Sequence, residues 1–455
     1  MAWKSIRKQK WRRTFSPAKL IALIFLGIIA VGTGLLCLPI ASRTGQSRGF
    51  LDALFTATSA TCVTGLIPGD TYTLWSGFGQ TVILLLIEIG GLGFMSAAAL
   101  VIMALRGKVG LKQRMVIAQA LSVDDMQSVW KLQKIVIFGS LAIQAVGATV
   151  LFFRFLPLFG AETAIKWGVF HAISAFCNAG FDIFGKVAPG SSVMAFNTDP
   201  VVCITLMALV VIGGLGFFVW DELVRLHSWK KFSVYTKLVL LTSGVLLLGG
   251  GVLFLILEWD NPATLGAMEP GDKVLNAFFQ SVTLRTAGFA SIDQGALTDA
   301  GKAVSLVFML IGGSSGSTAG GMKTVTFIVL VLFLISRLRG ANTVTVFRRR
   351  ILPEKVLDAM TIFGIMVGLG LFGGIFITAT SPISFTDSLY ESVSALGTVG
   401  LTANVTSLLS IPAKLLIILF MYFGRVGILT LSLGFLSGGK SADRYQYAHT
   451  NLLIG

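Results

Sequence analysis

SATCVTGL, residues 59–66, returns in altered form as SAFCNAGF (174–181), VTLRTAGF (282–289) and SALGTVGL (394–401). Aligned on the seventh letter, Gly65, Gly180, Gly288 and Gly400 stand in register at near-equal intervals. A second motif follows each copy: GGLG at 90–93, GGLG at 213–216, GGSS at 312–315 and GRVG at 424–427. One glycine tetrad in an apolar run signals only close helix packing. Two motifs recurring in step four times define a repeated unit.

Around these motifs the chain is strongly apolar, with 54% hydrophobic and 13% charged residues in 455. No soluble domain of this size has that balance, so the sequence predicts an all-α integral membrane protein. Eight stretches are long enough to cross a bilayer as helices, at about 20 residues each: 20–38, 78–105, 135–153, 201–220, 238–257, 303–335, 359–379 and 415–436. Between odd and even spans lies a semi-apolar piece too short to cross, ending in the first motif. Each unit therefore reads as span, re-entrant half-helix, glycine-ended loop, span, the arrangement called M1-P-M2. The units run over 17–112, 113–228, 229–340 and 341–437, flanked by 1–16 and 438–455. The first span follows six basic residues, Lys4 to Arg13, as a signal peptide would. Its length and the lack of an A-x-A site favour a retained span.

Charge placement gives the orientation. Most of the 36 Lys and Arg fall in the N-terminus and in segments 106–134, 225–237, 337–355 and 437–455. Short basic loops stay cytoplasmic, so both termini are expected inside a cell membrane. Most of the 21 Asp and Glu fall on the other side, an acidic mouth that suits cations. The net charge of +15 is accounted for by topology and anionic lipid, without nucleic acid. Arg106, Lys108, Lys112 and Arg114 could meet a partner or lipid headgroups, or only set topology.

Several chemistries find little material. Cys37, Cys62, Cys177 and Cys203 lack CxxC spacing, and His171, His227 and His449 are scattered, so no transition-metal site or disulfide framework is indicated. Cys62 and Cys177 share a repeat position that Arg285 and Gly397 fill elsewhere, which reads as a tolerant pore-lining site. The glycine-rich stretch from Gly316 to Thr324 resembles a phosphate-binding loop, but Met322 interrupts the pattern and no strand of a soluble domain precedes it. No enzyme and no cofactor is expected.

Non-helical backbone at membrane depth survives only when buried in protein or lining water. Four such loops around one axis make a pore, and their carbonyl oxygens can replace the water shell of an alkali cation such as potassium. Glycine lets the chain turn a carbonyl inward. The half-helix C-terminal ends add partial negative charge. The expected ion-binding filter is Val63, Thr64 and Gly65; Asn178, Ala179 and Gly180; Thr286, Ala287 and Gly288; and Thr398, Val399 and Gly400. Glu88, an acid within a span, is either an ion ligand or a polar contact in a crevice. Arg285, beside the path, is expected to pair with a nearby acid or to shape the field at the filter.

These motifs resemble the Trk/Ktr/HKT superfamily of potassium transporters, and within it the KtrB-type membrane subunit. The resemblance covers nearly the whole chain and rests on the four loops, TAGF (286–289), TVGL (398–401), GGSSGSTAGGMK (312–323) and GRVG (424–427). It implies a pseudo-fourfold array, potassium uptake often dependent on sodium, a homodimeric membrane part and a cytoplasmic ring of nucleotide-binding regulators. Sodium would be either carried, as in symport, or only activating. In relatives a serine at the first filter glycine goes with sodium transport; Gly65 favours potassium. Leu284 departs from the family, which frequently has proline there.

The tract Gly312, Gly313, Ser314, Ser315, Gly316, Ser317, Thr318, Ala319, Gly320 and Gly321 cannot hold a continuous helix well. Its hydroxyls can satisfy the backbone groups it frees. It is expected to break the third unit's second span and lie across the pore as a loop. Where the other units have Gly91, Gly214 and Gly313, the fourth has Arg425, whose five donors can hold loop carbonyls and whose charge opposes cations. Loop and Arg425 together are expected to form a gate that moves with the regulatory ring. Lys323, at the end of the tract, is expected to reach cytoplasmic water or an acid of the regulator. A carrier that rocks between two bundles fits four parallel repeats less well.

Overall fold

A computed structural model describes residues 17–104 and 126–427, and these are almost wholly helical. The long helices are α1 (Pro17–Leu36), α3 (Gly77–Ala104), α4 (Met126–Phe176), α7 (Val234–Glu258) and α11 (Pro353–Thr380), with the short α2 (Phe50–Thr61) after α1. Between α4 and α7 lie α5 (Pro200–Leu215) and α6 (Phe217–Leu226). The rest are α8 (Pro270–Thr283), α9 (Asp299–Leu310), α10 (Thr324–Leu338), α12 (Phe385–Gly397) and α13 (Ile411–Val426). A two-stranded hairpin, β1 (Thr345–Val346) with β2 (Arg349–Arg350), sits before α11. The basic segments 1–16 and 106–114, the tail 438–455 and His449 lie outside the described residues.

Helix starts follow capping chemistry. Ser233, Thr298, Ser384 and Ser410 each accept from the backbone N–H three residues on, and the Asp199 carboxylate accepts from Val201 and Val202. Pro200, Pro270 and Pro353 occupy first-turn positions whose N–H has no helical partner. α4 is two helices in one, bent at Gly160, where φ is 77°.

Among the described residues, four helices are long and apolar enough to cross a membrane. A fifth is counted if α5 and α6 are one bent span. The sequence expectation of eight is not met by continuous helices, for definite reasons. The expected span 303–335 is split into α9 and α10 around residues 311–323, as the glycine tract predicts. The expected span 201–220 is broken too, which the sequence reading missed: at Gly216, φ is 93° and the chain bends by 93°. The last span is described only as far as α13 and Gly427.

The bend at Gly216 exists to receive the tract. Phe217 N–H donates to Gly316 O at 2.8 Å, and a β-carbon on Gly216 would sit 2.9 Å from Ser315 O. Such a φ costs a side-chain-bearing residue about 1–3 kcal/mol. Gly216→Ala is therefore expected to lower the thermal unfolding midpoint in detergent; an unchanged midpoint would show that the bend carries no strain.

Buried side chains form two large clusters. One joins α2 and α3 to α4 and α5 through Trp75, Phe155, Trp167 and Phe176. The other joins α1 and α7 through α13 by Phe25, Phe254, Tyr390 and Phe420. They meet where the four loops end.

Candidate functional site: a ring of four glycine loops

α2, the second half of α4, α8 and α12 each end three to five residues before a motif glycine. The four glycines adjoin. A β-carbon on Gly65 would lie 2.6 Å from Ala179 O, and 3.3 Å from Cα of both Gly180 and Gly400. One on Gly180 would lie 2.8 Å from Ala287 O and from Gly288 Cα, and one on Gly288 2.6 Å from Val399 O. A β-carbon on Gly400 would collide with Thr64 O, closing the circle. The order around the ring is the order in sequence.

The backbone repeats as well as the position. φ is positive two residues before each glycine, at Val63 (56°), Asn178 (59°), Thr286 (67°) and Thr398 (50°). It is positive again at Gly65 (98°), Gly180 (69°), Gly288 (82°) and Gly400 (92°), with Thr64, Ala179, Ala287 and Val399 between on the ordinary side. Left-handed backbone at a β-branched valine or threonine is costly and persists only when its surroundings over-determine it.

What holds it is a set of hydroxyls that the sequence reading passed over. Ser59 Oγ accepts from Gly65 N–H and Ser394 Oγ from Gly400 N–H, both at 3.1 Å. Ser174 Oγ donates to Phe181 O and Thr283 Oγ1 to Phe289 O, both at 2.6 Å. The signal was in plain view, since serine opens three of the four motifs. In three loops the residue before the glycine bonds back five residues: Thr64 to Ser59 O, Ala179 to Ser174 O and Val399 to Ser394 O, each at 2.8 Å. The third differs: Ala287 N–H reaches Thr283 O at 2.9 Å, one residue tighter, in the loop where Leu284 stands.

The second motif brings each following helix hard against a half-helix end. β-Carbons on Gly90, Gly213 and Gly424 would collide with Thr61 O, Phe176 O and Leu396 O, the equivalent carbonyl in three units. In the third unit Gly312 instead abuts Gly320 of its own tract.

The tract itself is laced to three units. Its ends pair as Ile311 with Met322, and Gly312 N–H donates to Met322 O at 2.8 Å. Thr318 Oγ1 donates to Phe176 O at 3.0 Å, Ser314 N–H to Gly214 O at 3.0 Å, and Tyr235 OH to Ser315 O at 2.7 Å. Glycine 320 packs on Thr398 Oγ1, and a β-carbon on Gly321 would lie 2.8 Å from Gly397 O. Arg425 is 6% exposed and completes the lacing. Its guanidinium donates to Thr318 O, to Gly90 O at 2.6 Å and to Gly91 O at 3.1 Å.

Three further side chains of the sequence reading have definite partners. Arg285 meets no acid among the described residues: it donates to Ser243 Oγ at 3.2 Å and Thr324 Oγ1 at 3.0 Å, because the elements packed on it present hydroxyls. Lys323 is turned back onto the tract, donating to Ala319 O at 2.8 Å, since that carbonyl lacks a helical partner. Cys177 is wholly buried and faces Glu88, with Sγ 3.3 Å from Oε2. Glu88 also accepts from Gln144 Nε2 at 3.0 Å, while its Oε1 has no hydrogen-bond partner among the described residues.

Fold and site together define a polytopic helical membrane protein whose buried irregular backbone converges at one place. The chain belongs to the TrkH family of cation transport proteins, whose pattern it matches over residues 26–443. It is a transporter by family, not an enzyme. It is 40% identical over 456 residues to the potassium/sodium uptake protein NtpJ of Enterococcus hirae, covering 99% of this chain and 100% of that one. It is 39% identical to the Ktr system potassium uptake protein B of Bacillus subtilis, covering 96% of each. The fold is similar to that of the potassium transporter TrkH of Vibrio parahaemolyticus, with a TM-score of 0.67, 18% identity, and coverage of 91% of this chain and 83% of that one.

Proposed function

We propose that this chain is the ion-conducting subunit of a Ktr-type potassium uptake system, with the four glycine loops as its selectivity filter. The observation that carries the reading is the closed ring of Gly65, Gly180, Gly288 and Gly400 on backbone that alternates in hand. Alternation of hand brings consecutive peptide carbonyls to one side, which is what a dehydrated cation needs. That the relatives from Enterococcus hirae and Bacillus subtilis are potassium uptake proteins supports potassium as the cargo. In this reading four M1-P-M2 units with eight spans surround one axis, and both termini are cytoplasmic. The membrane potential supplies about 2.3 kcal/mol per charge per 100 mV, enough for accumulation without ATP.

The tract 312–321 with Arg425 is the gate in this reading. It lies directly beneath the fourth loop, on Thr398 and Gly397, and a buried guanidinium in that position opposes cations. A homodimer and a cytoplasmic nucleotide-binding ring, to which Ktr-system naming points, would move it. Expression in a bacterium lacking its own potassium uptake tests the whole: growth at low potassium should return, and more strongly with sodium present. Failure to rescue, with the protein shown in the membrane, would reject the reading. Removing residues 314–319 should raise potassium flux that no longer depends on the regulator.

The outer mouth adds a pH dependence. Burial and the neighbouring Asp70 push the Asp182 carboxyl up to about 7. It is neutral below that value and negative above it, so uptake should rise as external pH passes upward through neutrality. Asp182→Asn should flatten the profile; an unaltered profile would place the titration elsewhere.

A further inference from the structure

Glu258 and Glu391 are both fully buried, and their surroundings differ sharply. The Glu258 carboxylate accepts four hydrogen bonds: from Asn261 Nδ2 at 2.7 Å, Thr264 Oγ1 at 2.8 Å, Thr298 N at 3.0 Å and Thr298 Oγ1 at 2.7 Å. It is a satisfied structural knot. Glu391, on α12, accepts from Thr406 Oγ1 at Oε1, while Oε2 has no hydrogen-bond partner among the described residues. The ammonium of Lys302 is committed to Asp387 Oδ1 at 2.8 Å, and Asp387 stands one turn before Glu391 on α12. A buried carboxylate left like this is strongly unfavourable unless something positive joins it.

The oxygens gathered there suit a hard cation. Thr402 Oγ1 lies 2.9 Å from Thr406 Oγ1, so two carboxylate oxygens and two hydroxyls cluster. Thr402 is partly exposed whereas Thr406 is buried, which leaves a short way in from the outer side. A single carboxylate balances one charge. Calcium takes six to eight oxygens, commonly with several carboxylates, and magnesium demands an octahedron and dehydrates reluctantly.

We propose that Glu391, Thr402 and Thr406 form a sodium site beside the fourth filter loop. Thr402 is two residues from Gly400, so an ion there fixes the stretch that leaves the filter while staying off the conduction axis. Sodium then acts on this chain as an activator and is not carried through this site. The activating role rests on the potassium-pore reading, whereas binding itself does not.

Two measurements separate these. Thermal unfolding of the full chain in detergent should show a higher midpoint in sodium chloride than in choline chloride of equal ionic strength. Glu391→Gln should lose that shift, and Thr406→Val, which keeps the carboxylate, should reduce it. Rubidium influx into vesicles should be stimulated by external sodium in the wild type and not in Glu391→Gln. A sodium shift that survives in both variants overturns the site, as does a midpoint that follows pH and ignores sodium. A sodium shift in a wild type that passes no rubidium would leave the site standing and reject the pore.

Discussion

Arg425→Ala is expected to give the largest gain of flux of any single change in this chain. The side chain donates three hydrogen bonds to carbonyls of Thr318, Gly90 and Gly91, drawn from two separate units. Bonds made by charged groups contribute about 1.5–3 kcal/mol each, so losing even one shifts a closed-to-open balance by roughly ten- to a hundredfold. Alanine removes all three and the opposing charge. Rubidium influx without the regulator should rise by at least about tenfold on that basis. Arg425→Gln separates the two contributions, since it keeps a donor and drops the charge: an intermediate flux assigns part of the block to each. Wild-type influx in Arg425→Ala would sink the gating role and leave a helix tie.

Gly180→Ala is expected to abolish potassium-selective uptake. The added methyl would stand 2.8 Å from both Ala287 O and Gly288 Cα, on backbone with φ of 69° that disfavours a side chain. Neither neighbour can yield, because each belongs to the same ring. The backbone strain is about 1–3 kcal/mol, and the displaced carbonyls lose their aim at a dehydrated ion. Rubidium influx at low substrate, with protein level checked by immunoblot, should fall to background. Uptake near wild type would show that the ring lies off the path.

The site was legible where chemistry forces one residue type. Only glycine tolerates the close approach at 65, 180, 288 and 400, so a four-letter echo was enough to find the ring. The tract at 312–321 was legible for the same reason, as was its partner Arg425, a charge alone in an apolar span. Partners that depend on folding were not. Nothing near Arg285 in sequence announces Ser243 or Thr324, and no spacing announces that Lys323 folds back on Ala319. The break at Gly216 hid in an apolar run because its cause lies about a hundred residues away, in Ser315 and Gly316. Glu391 was overlooked because an acid on a short amphipathic helix reads as solvated, and only its burial shows otherwise.

The clasp between Ile311 and Met322 has a mechanical meaning. Because entry and exit of the glycine tract are fastened to each other, the excursion leaves and returns at one point between the end of α9 and the start of α10. As the gate proposed above, a flap attached in this way would swing without pulling α9 and α10 apart, so opening would leave the protein's match to bilayer thickness untouched.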